Sequence, residues 1–478
     1  MNELAAGSRV HLIAICGVGM ASLAGLLQSR GYRVTGSDQN VYPPMSTYLD
    51  ELGIKVFSGY AASHIEDRPD LVVIGNAISK DNPEAKFVLE REIPYLSLPQ
   101  ALSRFLIADK RSIVIAGTHG KTTTASLMAW VLTQAEMDPS FFIGGIPLNF
   151  QSGFRSGQGP WVAMEGDEYD SAFFDKGPKF LHYQPENVIL TSIEFDHADI
   201  YRDLEHLKAA FRRLAEIISP GGNLLACSEY PAAVEVSRAA NCRVIFYGEE
   251  EKSGWKAGNI RPRGRRTTFE VCYGGRSEGV VDLPLMGKHN VNNALAVYAL
   301  GREIGLPHGT IGEGLATFAG VRRRQEWKGD AGGVTLIDDF AHHPTAVKET
   351  VAAVRAGYGD RRLWAIFEPR SHTSRRNIFE TEFAEALAGA DRVVVAGLYQ
   401  PEKIPTENRL SPANVVGTIN RATGDRRATL VEIPGHIPDY VAREARAGDV
   451  ILVMSNGGFD AVQEKILRLL GDQRRGEQ

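Results

Sequence analysis

Three times along the chain, a short apolar run stops at glycines or small polar residues and gives way to a segment with helical periodicity. This alternation restricts the fold to parallel sheets covered by helices. In the first instance Val10 to Cys16 is apolar, Gly17-Val18-Gly19 breaks it, and Met20 to Ser29 is helical before a second strand at Tyr32 to Ser37. In the second, Arg111 to Ala116 runs into Gly117-Thr118-His119-Gly120-Lys121-Thr122-Thr123-Thr124 and a helix to Gln134. In the third, strands at Val334 to Ile337, Leu363 to Phe367, Val393 to Val395 and Val450 to Met454 alternate with helices from Pro344 to Arg355 and after Arg376. A chain of 478 residues exceeds what one core supports, and about 150 residues per domain gives three. The expected fold class is α/β with a Rossmann-like N-terminal domain over 1–109, a central P-loop domain over 110–322 and a Rossmann-like C-terminal domain over 323–478.

Charge and cysteine usage narrow the classes. A formal net charge of -5 gives no overall basic field for nucleic acid or an anionic membrane. Cys16, Cys227, Cys242 and Cys272 lack C-x-x-C spacing, which points away from a zinc site or a disulfide framework and towards a cytoplasmic protein. The uncharged stretch Leu12 to Leu27 contains three glycines and is shorter than the roughly 18 residues of a membrane span, so it reads as a strand entering a helix. Arg261, Arg263, Arg265 and Arg266 flank the β-prone Thr267 to Val271 and read as a solvated hairpin.

The chemistry concentrates at strand ends. Gly117 to Thr124 has the residues of a phosphate loop: small residues let backbone N–H groups converge, Lys121 supplies a point charge, and the Thr122 hydroxyl can ligate Mg²⁺. It departs from the common pattern in having Ile115 where the first glycine stands. Asp38, about twenty residues beyond Gly17 and Gly19, occupies the ribose-acid position of a dinucleotide turn. Ser22 replaces the third glycine, so a tight turn that only packs helix on strand is the competing reading. Two further strands, Trp161 to Met164 and Val188 to Ile193, run into Glu165-Gly166-Asp167-Glu168-Tyr169-Asp170 and Glu194-Phe195-Asp196-His197-Ala198-Asp199. Carboxylates beside a phosphate loop suit a divalent metal, with Asp167 and Asp199 expected instead to be helix caps or solvated charges. In the third segment Asp338 and Asp339, Glu368-Pro369-Arg370 and Ser455-Asn456-Gly457-Gly458 stand where ligands gather, and for the last two groups, taken singly, a plain turn is the favoured reading.

Taken in order, the phosphate loop, Glu165 to Asp170, Asp196-His197, Gly287-Lys288-His289-Asn290-Val291-Asn292-Asn293 and Asp338-Asp339-Phe340-Ala341-His342-His343-Pro344 resemble the Mur ligase family along essentially the whole chain. The segment Gly36 to Thr47, with Phe173-Phe174-Asp175-Lys176, Phe195 to Tyr201, Glu368 to Ser371 and Met454 to Phe459, is most similar to the branch that recycles a murein tripeptide onto UDP-N-acetylmuramate. The branch that adds L-alanine to the same nucleotide is the nearest alternative.

The resemblance implies ATP and Mg²⁺ as cofactors and a cytoplasmic setting, with no nucleic-acid or membrane partner. It implies Lys121, Glu165 and His197 as catalytic residues, and Thr122, Glu165 and His197 at the metal. It places Gly117, Thr118, His119, Gly120, Lys121, Thr122 and Thr123 on the phosphates, and His289, Asn290 and Asn293 near adenine. Arg324 and Asp339 are placed on the phosphates and ribose. Gly17, Gly19, Asp38 and Asn76 are implied for the UDP sugar, with Arg370 and Asn456 for the peptide. Phe211 stands where other branches carry a carbamylated lysine, and His372 departs from the asparagine usual in the recycling branch. An NAD-dependent oxidoreductase, suggested by the opening turn alone, leaves Lys121 and the acidic strand ends without work, as does a silent nucleotide sensor.

Overall fold

The computed structural model describes residues 4–42, 45–198, 200–250 and 254–475, so Pro43, Pro44 and Asp199 of the motifs above lie outside the described residues. The chain packs as two compact units, one of residues 1–146, 150–193 and 208–246, the other of 147–149, 194–207 and 247–478.

In the first unit, Lys55–Ser58, Arg33–Asp38, Arg9–Ile13, Leu71–Ile74 and Tyr95–Ser97 form, in that order, a fully parallel five-stranded sheet. Leu71–Ile74 is apolar at every position because helices cover both faces. On one side Ile13, Val72 and Ile74 meet Ala85 and Val88 of the helix Pro83–Glu90. The unit's other sheet places Asn223–Cys227, Asn187–Leu190, Arg111–Ala116, Trp161–Gly166 and Ser140–Phe142 in parallel order, with Phe154–Arg155 antiparallel at its edge. The phosphate-loop strand Arg111–Ala116 is therefore interior, between a strand that ends in Glu165-Gly166 and one that ends before Thr191.

The strands expected over Val10 to Cys16 and Val188 to Ile193 both stop early, at Ile13 and Leu190. Ala14 turns into the left-handed region (φ 67°) and ends the first. After Leu190, Thr191 keeps one amide bond to Ala116 O (3.0 Å), but its hydroxyl and the polar groups of Ser192 turn to the neighbouring loop, as described below.

In the second unit, Trp255–Arg263, Arg266–Tyr273 and Arg276–Leu283 form an antiparallel meander, so the arginine-rich segment is a hairpin, with Arg266 paired to Asp282. A six-stranded sheet follows in the order Glu326–Ala331, Val334–Asp339, Val450–Met454, Leu363–Phe367, Arg392–Ala396 and Ala428–Val431, parallel except at the first strand. Its period-two alternation divides the apolar residues between two cores. Ile337, Leu452, Ala365 and Val395 face Val351, Phe383 and Ile419, whereas Leu336, Val453, Ile366 and Val394 face Ile437, Val441 and Ile466.

At the amino end of this sheet the buried Asp449 accepts two bonds from Arg362 (2.9 and 2.6 Å), one from Trp364 Nε1 (2.9 Å) and one from the Arg446 amide (2.9 Å). Removing such an acceptor strands several donors at once. Asp449→Ala should lower unfolding free energy by on the order of 3 kcal/mol, read from the chemical-unfolding midpoint. Asp449→Asn, which keeps one acceptor, should cost less, and an unchanged midpoint in both variants would contradict this role.

Candidate active site

The loop between Ala116 and Lys121 is held by backbone geometry only glycine accommodates. Gly117 has φ 133°, and a Cβ there would lie 2.3 Å from Thr191 Oγ1 and 2.7 Å from Ser192 O. Gly120, at φ 81°, caps the helix Lys121–Gln134, whose first turn carries no acid to compete with an anion at its positive end. Thr191 and Ser192 fasten the loop from the neighbouring strand's end. Thr191 Oγ1 donates to His119 O (2.5 Å), Ser192 Oγ accepts from the His119 amide (2.9 Å), and Ser192 O accepts from the Thr118 amide (2.9 Å). Neither residue is among the expected site residues. The signal for them is a polar Thr-Ser pair directly after a buried apolar strand.

Lys121 Nζ reaches Gly117 O (2.5 Å), Thr118 O (3.3 Å) and the buried Glu168 carboxylate (3.0 Å). Burial works against its charge, but Glu168, Asp167 and Glu165 outweigh it and hold its pKa above the ordinary lysine value. Thr122 Oγ1 donates to Glu165 Oε1 (2.8 Å), while Glu165 Oε2 is fixed by the Gly144 amide (2.7 Å). A hydroxyl and a carboxylate side by side, beside a lysine, are hard oxygen donors of the kind Mg²⁺ takes, so the residues present fit that ion. Asp167 caps no helix. It pairs with Lys179 (2.5 Å) and accepts from the Tyr169 amide (3.1 Å), so it ties a turn together.

In the five-stranded sheet, Gly17 caps the helix Val18–Ser29, and Asp38 ends its strand. Asn76 is exposed just past the end of Leu71–Ile74, so the three lie at carboxyl ends of adjacent strands. Gly19 answers to packing, since a Cβ there would stand 3.1 Å from Leu98 Cδ2. Asp38 uses one oxygen on the Cys16 amide (2.9 Å) and the other on the Asn40 amide (2.9 Å), bracing the turn.

In the second unit His197 adopts φ 57°, its amide bonded to Asp196 Oδ1 (2.7 Å), which also accepts from Thr373 Oγ1 (2.7 Å). Burial opposes the Asp196 charge, yet His197, His342 and His343 with the Thr373 hydroxyl push its pKa well below the carboxylate range. Gln325, absent from the expected residues, joins three that were expected. Its side chain meets His289 Nε2 (3.2 Å) and accepts from Asn290 Nδ2 (3.3 Å), and its amide donates to Asp339 Oδ2 (2.7 Å). Asn293 Nδ2 donates to Asn290 Oδ1 (3.3 Å), and the Arg324 guanidinium lies 4.7 Å over the Phe340 ring.

The Arg370 guanidinium stacks 3.7 Å from the Tyr399 ring centre and reaches Glu368 Oε1 (3.4 Å). Glu368 in turn accepts from Ser455 Oγ (2.5 Å), and burial raises its pKa. Asn456 Oδ1 is buried with no hydrogen-bond partner among the described residues. The Glu368 and Ser455 turns are thus linked to each other, which goes beyond the plain-turn reading.

Three family models match the chain: "Mur ligase family, catalytic domain" over 9–110, "Mur ligase middle domain" over 115–301 and "Mur ligase, glutamate ligase domain" over 323–457. The chain belongs to the Mur ligase family. It is an ATP-dependent, amide-bond-forming ligase with that family's three domains. It is 41% identical over 470 residues to the UDP-N-acetylmuramate–L-alanyl-gamma-D-glutamyl-meso-2,6-diaminoheptandioate ligase of Escherichia coli (strain K12), covering 96% of this chain and 97% of that protein. The crystal structure of a murein peptide ligase from Psychrobacter arcticus 273-4 matches with a TM-score of 0.70 at 34% identity, covering 98% of this chain and 99% of the other. The UDP-N-acetylmuramate-alanine ligase of Thermotoga maritima gives a higher TM-score, 0.79, at 25% identity, covering 98% and 100%. The two rankings disagree. A TM-score measures shared shape, which branches of one family hold in common, so identity is the better guide to the substrate branch.

Among the described residues no helix is long and apolar enough to cross a membrane. Phe211 is buried, its ring centre 5.4 Å from that of Phe180.

The fastening of the loop can be tested at the residue outside the expected set. Thr191→Val keeps the shape and removes the hydroxyl bonded to His119 O. ATP affinity should fall roughly tenfold, the equivalent of one good hydrogen bond. Calorimetric titration with a non-hydrolysable analogue reads it, and unchanged affinity would show that the bond does not shape the loop.

Proposed function

We propose that this ligase joins the muramic carboxylate of UDP-N-acetylmuramate to the amine of L-alanyl-γ-D-glutamyl-meso-diaminopimelate, converting ATP to ADP and phosphate, in the cytoplasmic recycling of murein peptide. The observation that carries the reaction type is Lys121 lying within the glycine loop while Thr122 and Glu165 share a hydrogen bond beside it. The tripeptide as acceptor is supported by likeness to the Escherichia coli ligase across 96% of the chain.

In this reading the muramic carboxylate attacks the γ-phosphorus and ADP leaves, giving an acyl phosphate. The peptide amine then adds to its carbonyl, and collapse of the tetrahedral adduct expels phosphate while the amine proton is lost. Phosphoryl transfer depends mainly on positioning and neutralisation of oxygen charge. Lys121 supplies a fixed positive charge, and the amides at the start of the helix Lys121–Gln134 are the ones that would orient the phosphates, since Ser192 takes those of Thr118 and His119. Bound Mg²⁺ supplies further neutralisation of phosphate charge, and Thr122 and Glu165 are the residues that would hold it, with His197 the remaining assignment. His289, Asn290 and Asn293 are assigned to adenine, with Arg324 and Asp339 to ribose and phosphates. Gly17, Gly19, Asp38 and Asn76 are assigned to the UDP sugar. Arg370 offers the peptide a guanidinium already oriented by Tyr399, and Asn456 offers an acceptor not yet used by the protein.

The TM-score to the Thermotoga maritima enzyme favours a second reading, L-alanine as acceptor. Steady-state assays with the tripeptide and with L-alanine separate the two. Phosphate release with the tripeptide and none with L-alanine is expected, and the reverse would transfer the chain to the other branch. Lys121→Ala should lower phosphate release by at least about a hundredfold while UDP-N-acetylmuramate still binds. Near-normal turnover would remove Lys121 from the mechanism.

A further inference from the structure

Glu84, in the first turn of the helix Pro83–Glu90, is fully buried, a position that costs a carboxylate several kcal/mol unless its oxygens are occupied. Groups from three elements meet them. Ser37 Oγ, from the strand Arg33–Asp38, donates to Oε2. His64 Nδ1 (2.7 Å) and the Ala61 amide (3.1 Å), from the turn at 61–64, donate to Oε1. His11 of the central strand Arg9–Ile13 brings Nε2 to 3.7 Å from Oε2, its Nδ1 held by Thr35 Oγ1 (2.9 Å). The His64 ring is stacked on Phe57 (4.5 Å, 12°), and Asn82 Oδ1 caps the helix through the Glu84 and Ala85 amides (2.9 and 3.1 Å), so the carboxylate has little freedom to move. The proximity of His11 and the hydrogen bonds from Ser37 and His64 outweigh burial and keep its pKa below the ordinary glutamate value.

What the carboxylate anchors is more specific than a core. Ser37 O accepts the amides of Ala14 (2.8 Å) and Ile15 (3.1 Å), and the next residue, Asp38, accepts the Cys16 amide (2.9 Å). Residues 37 and 38 therefore hold the three successive amides of Ala14, Ile15 and Cys16, and the Gly17 amide closes the turn on Ala14 O (3.3 Å), with Ala14 at φ 67°, a left-handed conformation that a non-glycine residue keeps only under such constraint. The chain of contacts runs from Glu84 through the Ser37 hydroxyl to the backbone of the turn and to the Asp38 carboxylate.

We propose that Glu84 is a positioning residue for the sugar-nucleotide pocket, acting through Ser37 to fix the Ala14–Gly17 turn and Asp38 in the geometry that receives the UDP moiety. The inference rests on the assignment of Gly17 and Asp38 to UDP-N-acetylmuramate. A residue that merely stabilised the domain would, when changed, lower the melting temperature without singling out one substrate.

Steady-state kinetics on the full chain, with UDP-N-acetylmuramate and ATP varied in turn at saturating tripeptide, tests it, using Glu84→Ala, Ser37→Ala, the double variant, Glu84→Gln and Asp38→Ala. Glu84→Ala should raise KM for UDP-N-acetylmuramate about tenfold with kcat and KM for ATP within about twofold. Ser37→Ala, which leaves the Glu84–His64 pair intact and is the milder change, should raise the same KM severalfold. The double variant should be no worse than Glu84→Ala, because residues in one network are not additive. Glu84→Gln, retaining one acceptor oxygen, should recover part of the loss. Equal rises in KM for both substrates, additive single effects, or unchanged KM in Ser37→Ala would each overturn the proposal. Asp38→Ala distinguishes its failure from that of the underlying assignment. If Asp38→Ala weakens UDP-N-acetylmuramate binding but the Glu84 and Ser37 variants do not, the relay alone is wrong. If Asp38→Ala binds it normally, the assignment fails and the relay with it.

Discussion

Close approach of one strand end to another governs the catalytic half of this ligase. Gly117 lies so near Thr191 and Ser192 that a methyl group has no room, and that proximity lets the Thr191 hydroxyl and the Ser192 backbone take up loop groups that would otherwise be unsatisfied. With the loop pinned from that side, Lys121 is enclosed by Gly117 O, Thr118 O and Glu168, and Thr122 is delivered to Glu165 at the end of the strand on the other side. An interior parallel strand flanked by two polar strand ends is what makes the arrangement possible.

Buried charge recurs wherever a turn must keep one shape. Glu84, Glu168, Asp196, Glu368 and Asp449 are all buried acids at or beside loops, and each is bonded to donors from distant parts of the chain. Such groups add little net stability compared with apolar residues of the same volume, but they tolerate few alternative geometries. That trade suits a ligase, in which the carboxylate, phosphate and amine must meet within a few tenths of an ångström.

Much of this was legible in the residues. The strands Arg111–Ala116, Leu363–Phe367 and Val450–Met454 begin and end where their apolar runs do, because each is buried on both faces and bounded by polar or glycine residues. Lys121, Thr122 and Glu165 were recognisable from motif and order, and they do come together. The run Val10 to Cys16 misled because burial continues at Ile15 after the ladder stops, and hydrophobicity reports burial, not hydrogen-bond direction, whereas the polar but buried Thr191-Ser192 pair already ends the second strand at Leu190. Thr191, Ser192 and Gln325 were missed for a related reason. Their partners are backbone groups or residues far along the chain, and no local spacing records such a contact. Asp167, expected as a cap or a solvated charge, forms a tie to Lys179 that only the folded turn creates.

The central claim is that the group at Lys121 and Glu165 transfers phosphate to the sugar's carboxylate before any amide forms. Enzyme given ATP, Mg²⁺, the tripeptide and UDP-N-acetylmuramate labelled with ¹⁸O in both oxygens of the muramic carboxylate tests it directly, because an acyl phosphate must hand one of those oxygens to the departing phosphate. Mass spectrometry of the released phosphate should find one ¹⁸O per amide bond formed. Unlabelled phosphate accompanying a labelled amide product would contradict the claim.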